Sequence, residues 1–203
     1  MNLYSRFLLP RLIDLAMKQK RMRERRAMLV PKAHGAVLEI GIGSGLNLPF
    51  YDAARLRRLC AVDPSHELLA MARRNARRSG MEVELVQQSA ERLPFATASF
   101  DSALVTWALC SIRDAEAALR EIRRVLKSGG ELFFIEHGLA RDPGVAAWQR
   151  RLTPFWRPIA GGCHLDRRID ALLGAVFPSV EVERFYLEGP RILTYVYEGC
   201  ARG

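Results

Sequence analysis

Three glycines at alternate positions, Gly41, Gly43 and Gly45, follow directly on the run Ala36-Val37-Leu38-Glu39-Ile40. A chain that bends sharply off the end of a strand while a ligand comes close needs residues without a Cβ at the bend. The pattern predicts a strand over 36–40, a tight turn at its C-terminal end and a ligand above that turn, where open α/β sheets bind theirs. Several nucleotides would suit such a turn. A nicotinamide fingerprint is Gly-x-Gly-x-x-Gly; here the last glycine comes one residue early, and Leu46 stands where that fingerprint has glycine.

Downstream, strand-like and helix-like segments alternate. Strands are expected over 58–62, 83–87, 102–106, 131–136, 180–186 and 193–197, with helices over 67–78 and 115–126 between them. In the second helix Ala118, Leu119, Ile122, Val125 and Leu126 form a buried stripe at helical spacing. Alternation of this kind reads as βαβ units around a mostly parallel sheet. The last two strands are joined by residues 187–192, too short a stretch for a crossover helix, so they should pair as an antiparallel hairpin. The expected fold class is α/β: a seven-stranded, mostly parallel sheet with an antiparallel last strand and helices on both faces. A chain of 203 residues suits one such domain, over 33–203, with a helical extension over 1–32.

The formal charge of +9 resembles a nucleic-acid signal until it is located. Residues 1–32 hold nine Lys/Arg against Asp14 and Glu24, whereas residues 33–203 hold 22 basic and 20 acidic side chains. The body is nearly neutral, with little excess to grip phosphates, and Val105-Thr106-Trp107-Ala108 lacks the Asn/Asp-Pro-Pro-aromatic segment found in some DNA-modifying enzymes. Nucleic acid is therefore not an expected partner. In the extension Leu3, Phe7, Leu8, Leu12, Ile13, Leu15, Ala16 and Met17 mark a helical face to about Met28, with Pro10 expected to kink it and a basic run from Lys18 to Arg26 after it. Two readings stand: a helix lying over a substrate entrance with a solvated basic face, or a basic amphipathic helix touching an anionic membrane. No run of about 18 apolar residues and no signal peptide is present, so the expected location is the cytoplasm, peripheral to the inner membrane surface on the second reading. Cys60, Cys110, Cys163 and Cys200 form no Cys-x-x-Cys pair, which argues for reduced thiols rather than a zinc ribbon or a disulfide framework.

From about Gly35 to the C-terminus the chain resembles the class I S-adenosylmethionine-dependent methyltransferases. The resemblance is carried in order by Val37-Leu38-Glu39-Ile40-Gly41-Ile42-Gly43-Ser44-Gly45, Val62-Asp63-Pro64-Ser65, Ala90-Glu91-Arg92-Leu93-Pro94-Phe95, Ser99-Phe100-Asp101, and the run from Leu119 through Arg120-Glu121-Ile122 to Ser128-Gly129-Gly130. It implies a Rossmann-like fold with S-adenosyl-L-methionine as cofactor. By the same resemblance Gly41, Gly43, Ser44 and Gly45 face the methionine part, Glu39 fixes its amino group, and Asp63, followed by Pro64, holds the ribose. Ser89 and Ala90 border the adenine, and Thr106 lines the side near the methyl group; relatives often carry Asp where Ser89 stands.

Methyl transfer from a sulfonium is an in-line displacement, so the acceptor must be aligned and must present a free lone pair. His34 and His66 lie before the first strand and at a helix start, where exposure or capping accounts for them. His137, in Glu136-His137, follows the fifth strand at the sheet edge where an acceptor should approach. Cys163 and His164 lie in Gly161-Gly162-Cys163-His164-Leu165-Asp166, between Trp148, Phe155, Trp156 and Pro158 and the next helix. These aromatics would suit a lid or pocket wall for an apolar substrate, and Asp166 is equally suited to cap the following helix. A metal site is not expected, because His137, Cys163 and His164 have no recognised ligand spacing. Leu109-Cys110-Ser111-Ile112, Glu136-His137 and Gly162-Cys163-His164-Leu165 resemble the small relatives of membrane-associated thiol S-methyltransferases. That resemblance implies a small-molecule thiol acceptor with His137, Cys163 and His164 as catalytic candidates, since a thiol of pKa about 8.5 is mostly protonated at neutral pH. The alternatives are a phospholipid or other amine or phenol acceptor, a binder of the cofactor without catalysis, and an oxidoreductase, which Leu46 opposes.

Overall fold

Strands buried on both faces belong at the centre of a covered sheet, and β1 (Gly35–Ile40) and β4 (Phe100–Thr106) are nearly continuous apolar runs of this kind. The computed structural model, which describes Tyr4 and residues 8–203, places them side by side. Around them stand β2 (Leu56–Asp63), β3 (Glu84–Gln87), β5 (Leu126–His137), β6 (Ser179–Tyr186) and β7 (Tyr195–Arg202) in the order β3-β2-β1-β4-β5-β7-β6. The first five strands pair in parallel, and β7 runs antiparallel to both β5 and β6. This is the sheet the alternating segments predict.

The helices are α1 (Leu9–Met17), α2 (Lys20–Leu29), α3 (His66–Ser79), α4 (Ala115–Val125), α5 (Pro143–Trp156), α6 (Ile169–Val176) and the single turn α7 (Arg191–Thr194). Alternate strand residues point to opposite faces. Leu38, Ile40, Val105, Leu132 and Phe134 therefore meet Leu119 and Ile122 of α4 and Leu173 of α6 in one apolar layer. Val37, Leu104, Phe133 and Ile135 meet Leu69 and Ala72 of α3 and the end of α2 in the other. Local chemistry sets the helix ends. The Ser65 hydroxyl accepts from the Leu68 N–H at the start of α3, Gly80 closes that helix at φ +66°, and Asp114 caps α4 by accepting from the Ala117 N–H.

Three expectations need correction. The last strand begins at Tyr195 rather than 193, because residues 191–194 wind into α7, and it runs on to Arg202. The N-terminal helix is two helices, and the break falls at Lys18 and Gln19, where Gln19 is extended, rather than at Pro10. Pro10 sits in the first turn of α1, where a missing N–H costs little. Leu3, Arg6 and Phe7 lie outside the described residues. Nor is the basic run simply a solvated face: Lys18, Lys20 and Arg23 are exposed, but Arg25 stacks over the Phe185 ring and Arg26 is buried. Leu29 and Val30, which follow Arg26, are fully inside the core.

Candidate active site

The turn after β1 does what its glycines allow. Gly41, Gly43 and Gly45 all have positive φ, between 57° and 83°. A Cβ on Gly41 would come within 2.4 Å of the Ala108 Cβ and one on Gly45 within 3.2 Å of Ala72 backbone, so those two serve packing. A Cβ on Gly43 would meet only the Gly41 carbonyl, at 4.0 Å, which leaves that side of the turn open to a ligand. The Gly43 N–H donates to Asp63 Oδ2 at 2.9 Å, and the Ser65 N–H donates to Oδ1 at 2.8 Å. Asp63 thus stands at the end of β2 against the turn, its carboxyl pushed up by burial against the pull of these two bonds.

At the end of β1 Glu39 is 1% exposed. Tyr51 donates to its Oε2 at 2.8 Å and Asn47 Nδ2 to its Oε1, also at 2.8 Å. Burial outweighs both bonds and raises the carboxyl to about 7. Asn47 Nδ2 donates as well to Thr106 Oγ1 at 2.9 Å, while Asn47 Oδ1 accepts from Arg26 Nε at 2.9 Å. Asn47 therefore joins the ends of β1 and β4 to α2. From α1, Asp14 accepts from the Ser44 hydroxyl and from Lys18, each at 2.6 Å. A cavity of about 70 Å³ remains between the turn and these helices, lined by Asp14, Arg26, Gly43, Asn47, Thr106 and Trp107 among others.

Trp107, directly after β4, has φ +51°, a region that bulky residues avoid. Its indole Nε1–H is buried with no acceptor among the described residues. Strain and an orphaned donor in one cavity-lining residue make Trp107 a candidate ligand-binding position. Sequence reasoning passed over Asp14, Arg26, Asn47, Tyr51 and Trp107. A polar Asn47 between Leu46 and Leu48 was the one available signal; the others act through distant pairings.

Ser89 and Ala90 follow β3 at the same sheet edge as Asp63, with Ala90 buried. The Ser89 carbonyl accepts from the Arg92 N–H. Thr106, expected at the end of the fourth strand, is there and lines the cavity.

The acceptor candidates lie next to Trp107. Glu136 is fully buried, and its carboxylate accepts from the backbone N–H groups of Ala108, Leu109 and Cys110 at 2.8 to 3.1 Å, which pins the loop after β4. Burial lifts its carboxyl to about 7 despite those bonds. His137 is 7% exposed, with Nδ1 at 3.9 Å from Cys163 Sγ and Nε2 at 3.5 Å from the Ile192 carbonyl. That carbonyl also accepts from Gln149 Nε2 at 3.0 Å. Since a carbonyl can only accept, the neutral ring keeps its proton on Nε2 and turns its Nδ1 lone pair to the cysteine. The Cys163 thiol is lowered from its ordinary value, first by a hydrogen bond with Cys110 and then by the one with His137.

The structure thus brings His137 and Cys163 together and adds Cys110. His164 is set apart: its N–H donates to the Cys110 carbonyl at 2.9 Å and its ring faces Asp166 at 3.7 Å. Asp166 is not a helix cap, because α6 starts three residues later with Arg168 at the capping position. Trp148 and Phe155 are not pocket walls either; they are 53% and 76% exposed.

The turn, Asp63 and the unpartnered Trp107 N–H fit S-adenosylmethionine, whose amino-acid end carries both charges and whose ribose asks for an acidic acceptor. Residues 38–134 match the family model described as a methyltransferase domain. The phosphatidylethanolamine N-methyltransferase of Cereibacter sphaeroides is 35% identical over 163 residues, 79% of this chain and 77% of that one. The thiol S-methyltransferase TMT1B of Rattus norvegicus is 36% identical over 153 residues, 72% of this chain, and this chain spans 62% of that protein's length. A SAM-dependent methyltransferase of Thermotoga maritima shares the fold at a TM-score of 0.62, with 19% identity and 98% of this chain and 100% of that one covered. Together with the turn, the buried Asp63 and the sheet order, these likenesses establish that the chain belongs to the class I S-adenosylmethionine-dependent methyltransferases.

Proposed function

We propose that the enzyme methylates the sulfur of a small-molecule thiol. The observation that carries this reading is the contact of buried His137 Nδ1 with part-buried Cys163 Sγ, 3.9 Å apart beside the loop that follows β4. Bound S-adenosylmethionine supplies an electrophilic methyl group on a sulfonium. What the protein must add is alignment of the acceptor and a place for its proton. His137 takes the Cys163 proton on Nδ1, and the resulting thiolate accepts the proton of the incoming thiol, which leaves the acceptor sulfur with a free pair. Ile192 and Gln149 hold the imidazole in register for that exchange. The identity to a named thiol S-methyltransferase supports the same reading.

The test is the purified full chain with methyl-labelled cofactor and a mixed panel: hydrogen sulfide, small alkyl thiols, amines and phenols. Methyl thioethers are the expected products, and a panel in which no thiol is labelled would sink the proposal. Cys163→Ser and His137→Gln should each lower kcat about 100-fold, with the loss shrinking at high pH, where free thiols ionise unaided.

A second reading, a lipid amine acceptor met at an anionic bilayer, is favoured by a different observation. Among the described residues Trp148, Leu152, Phe155 and Ile159 are exposed at steps of four, three and four along α5 and just beyond it, and Leu8, Leu12 and Leu15 are exposed along α1. Arg11, Lys18, Arg150, Arg151 and Arg157 flank them, all exposed. Apolar side chains among cations suit the interface of an anionic membrane. No described helix is long and apolar enough to cross one. Flotation with phosphatidylglycerol vesicles that vanishes in Phe155→Ser/Trp148→Ser, with phosphatidylethanolamine as the labelled product, would replace the thiol by this acceptor.

A further inference from the structure

A guanidinium buried without an anion is costly, and proteins retain one mainly where a ligand completes it. Arg26 is 5% exposed. Its Nε donates to Asn47 Oδ1 at 2.9 Å and its Nη1 to the Met17 carbonyl at 2.8 Å, both neutral oxygens. Among the described residues no carboxylate lies within ion-pair distance of it; Asn47 stands between it and Glu39, bonded to both. The guanidinium lies over the Trp107 ring, 4.8 Å from its centroid, and both residues line the cavity above the glycine turn. Burial lowers the Arg26 pKa to about 10, with Glu39 beyond Asn47 offsetting only part of that cost.

The amino-acid end of S-adenosylmethionine is a zwitterion. By the family resemblance its ammonium falls to Glu39, on one side of Asn47, which carries its negative charge above about pH 7. We infer that Arg26, on the other side, binds the cofactor's carboxylate, with the unpartnered Trp107 indole N–H as a second donor. Arg26 lies outside the matched domain of residues 38–134 and outside the glycine turn. The counter-charge for the cofactor therefore comes from α2, and the N-terminal helices complete the pocket instead of merely covering it. Arg26 is suited to this role over Lys because its planar fork can keep Asn47 and the Met17 carbonyl while presenting further N–H groups to a carboxylate.

Calorimetry on the full chain tests this without turnover. The probes are S-adenosylhomocysteine and its decarboxylated analogue, which differ only in the carboxylate. The wild type should bind S-adenosylhomocysteine about 10- to 100-fold more tightly than the analogue, the range for a buried charged hydrogen bond. Arg26→Gln should lose most of that preference, by weakening S-adenosylhomocysteine while the analogue stays within about threefold. Trp107→Phe, which keeps the ring and removes the N–H, should reduce the preference about three- to tenfold, and it decides the matter if Arg26→Gln does not fold. Equal affinity of the wild type for both probes would overturn the inference. So would equal weakening of both probes in the variants, which is what a purely structural Arg26 or Trp107 would give.

Discussion

Glu39 and Glu136 are both buried carboxyls held near 7, and of the two only Glu39 is joined, through Asn47, to the residues that line the cavity. A Glu39 that takes the cofactor's ammonium, as the family resemblance implies, must be ionised, so affinity for S-adenosylhomocysteine, measured by calorimetry, should rise as pH goes from 6 to 8 through the Glu39 pKa of about 7, then level off. Glu39→Gln should flatten that dependence and weaken binding about 10- to 100-fold at pH 8. Stability of the protein alone runs the other way. A carboxyl whose folded pKa exceeds its unfolded value contributes most below the unfolded value and loses that contribution as pH climbs through the folded one. The Tm gain on adding S-adenosylhomocysteine should accordingly be larger at pH 8 than at pH 6. Glu39, Asp63 and the glycine turn could be read as candidate site positions because each lies at or just beyond the end of a strand. Arg26 and Trp107 could not, and Asn47 only as a polar residue between two leucines. Their roles rest on a bridge between chain positions 26, 39, 47 and 106, which no local pattern encodes.

At the scale of elements, the β6–β7 hairpin shows how much of an assignment rests on neighbours. The short connection made the antiparallel pairing legible, but its first residues prefer a helical turn that only the carbonyl at Pro190 and the packing of α7 beside α5 reveal. Gly199 in β7 is a case of close approach: an added Cβ would come 1.9 Å from the Glu181 carbonyl oxygen of the paired strand. Gly199→Ala should therefore cost about 3 kcal/mol or prevent folding. Gly129, at φ +73° with nothing within 4 Å of an added Cβ, should cost only about 1 to 2 kcal/mol on the same change. Urea denaturation of the two variants separates steric from purely conformational need for glycine. The α5 stripe illustrates the converse error. Aromatic residues between two candidate site segments looked like a pocket wall, and helical phase turned Trp148 and Phe155 to the outside.

For the whole molecule, the N-terminal 30 residues divide at the break between α1 and α2. In α1 only Pro10 and Asp14 are buried, whereas Leu29 and Val30 sit in the core. Removing residues 1–18 should leave a folded protein with a lowered Tm, and removing residues 1–30 should cost a further ~4 kcal/mol or abolish the cooperative melt followed by circular dichroism. The amino-acid sequence by itself determined the α/β class, the strand order's antiparallel finish, the glycine turn and the acidic side chain at the end of the second strand. These follow from period, turn chemistry and connection length, all properties of neighbours along the chain. Only the tertiary structure decided that His137 meets Cys163 rather than His164, that Asp166 faces a histidine rather than a helix end, and that part of the basic run turns inward to a buried Arg26. Those outcomes depend on which side chains the sheet edge brings within hydrogen-bond range across tens of residues, and a cation drawn from solvent into a cavity carries no mark of that fate in its own sequence.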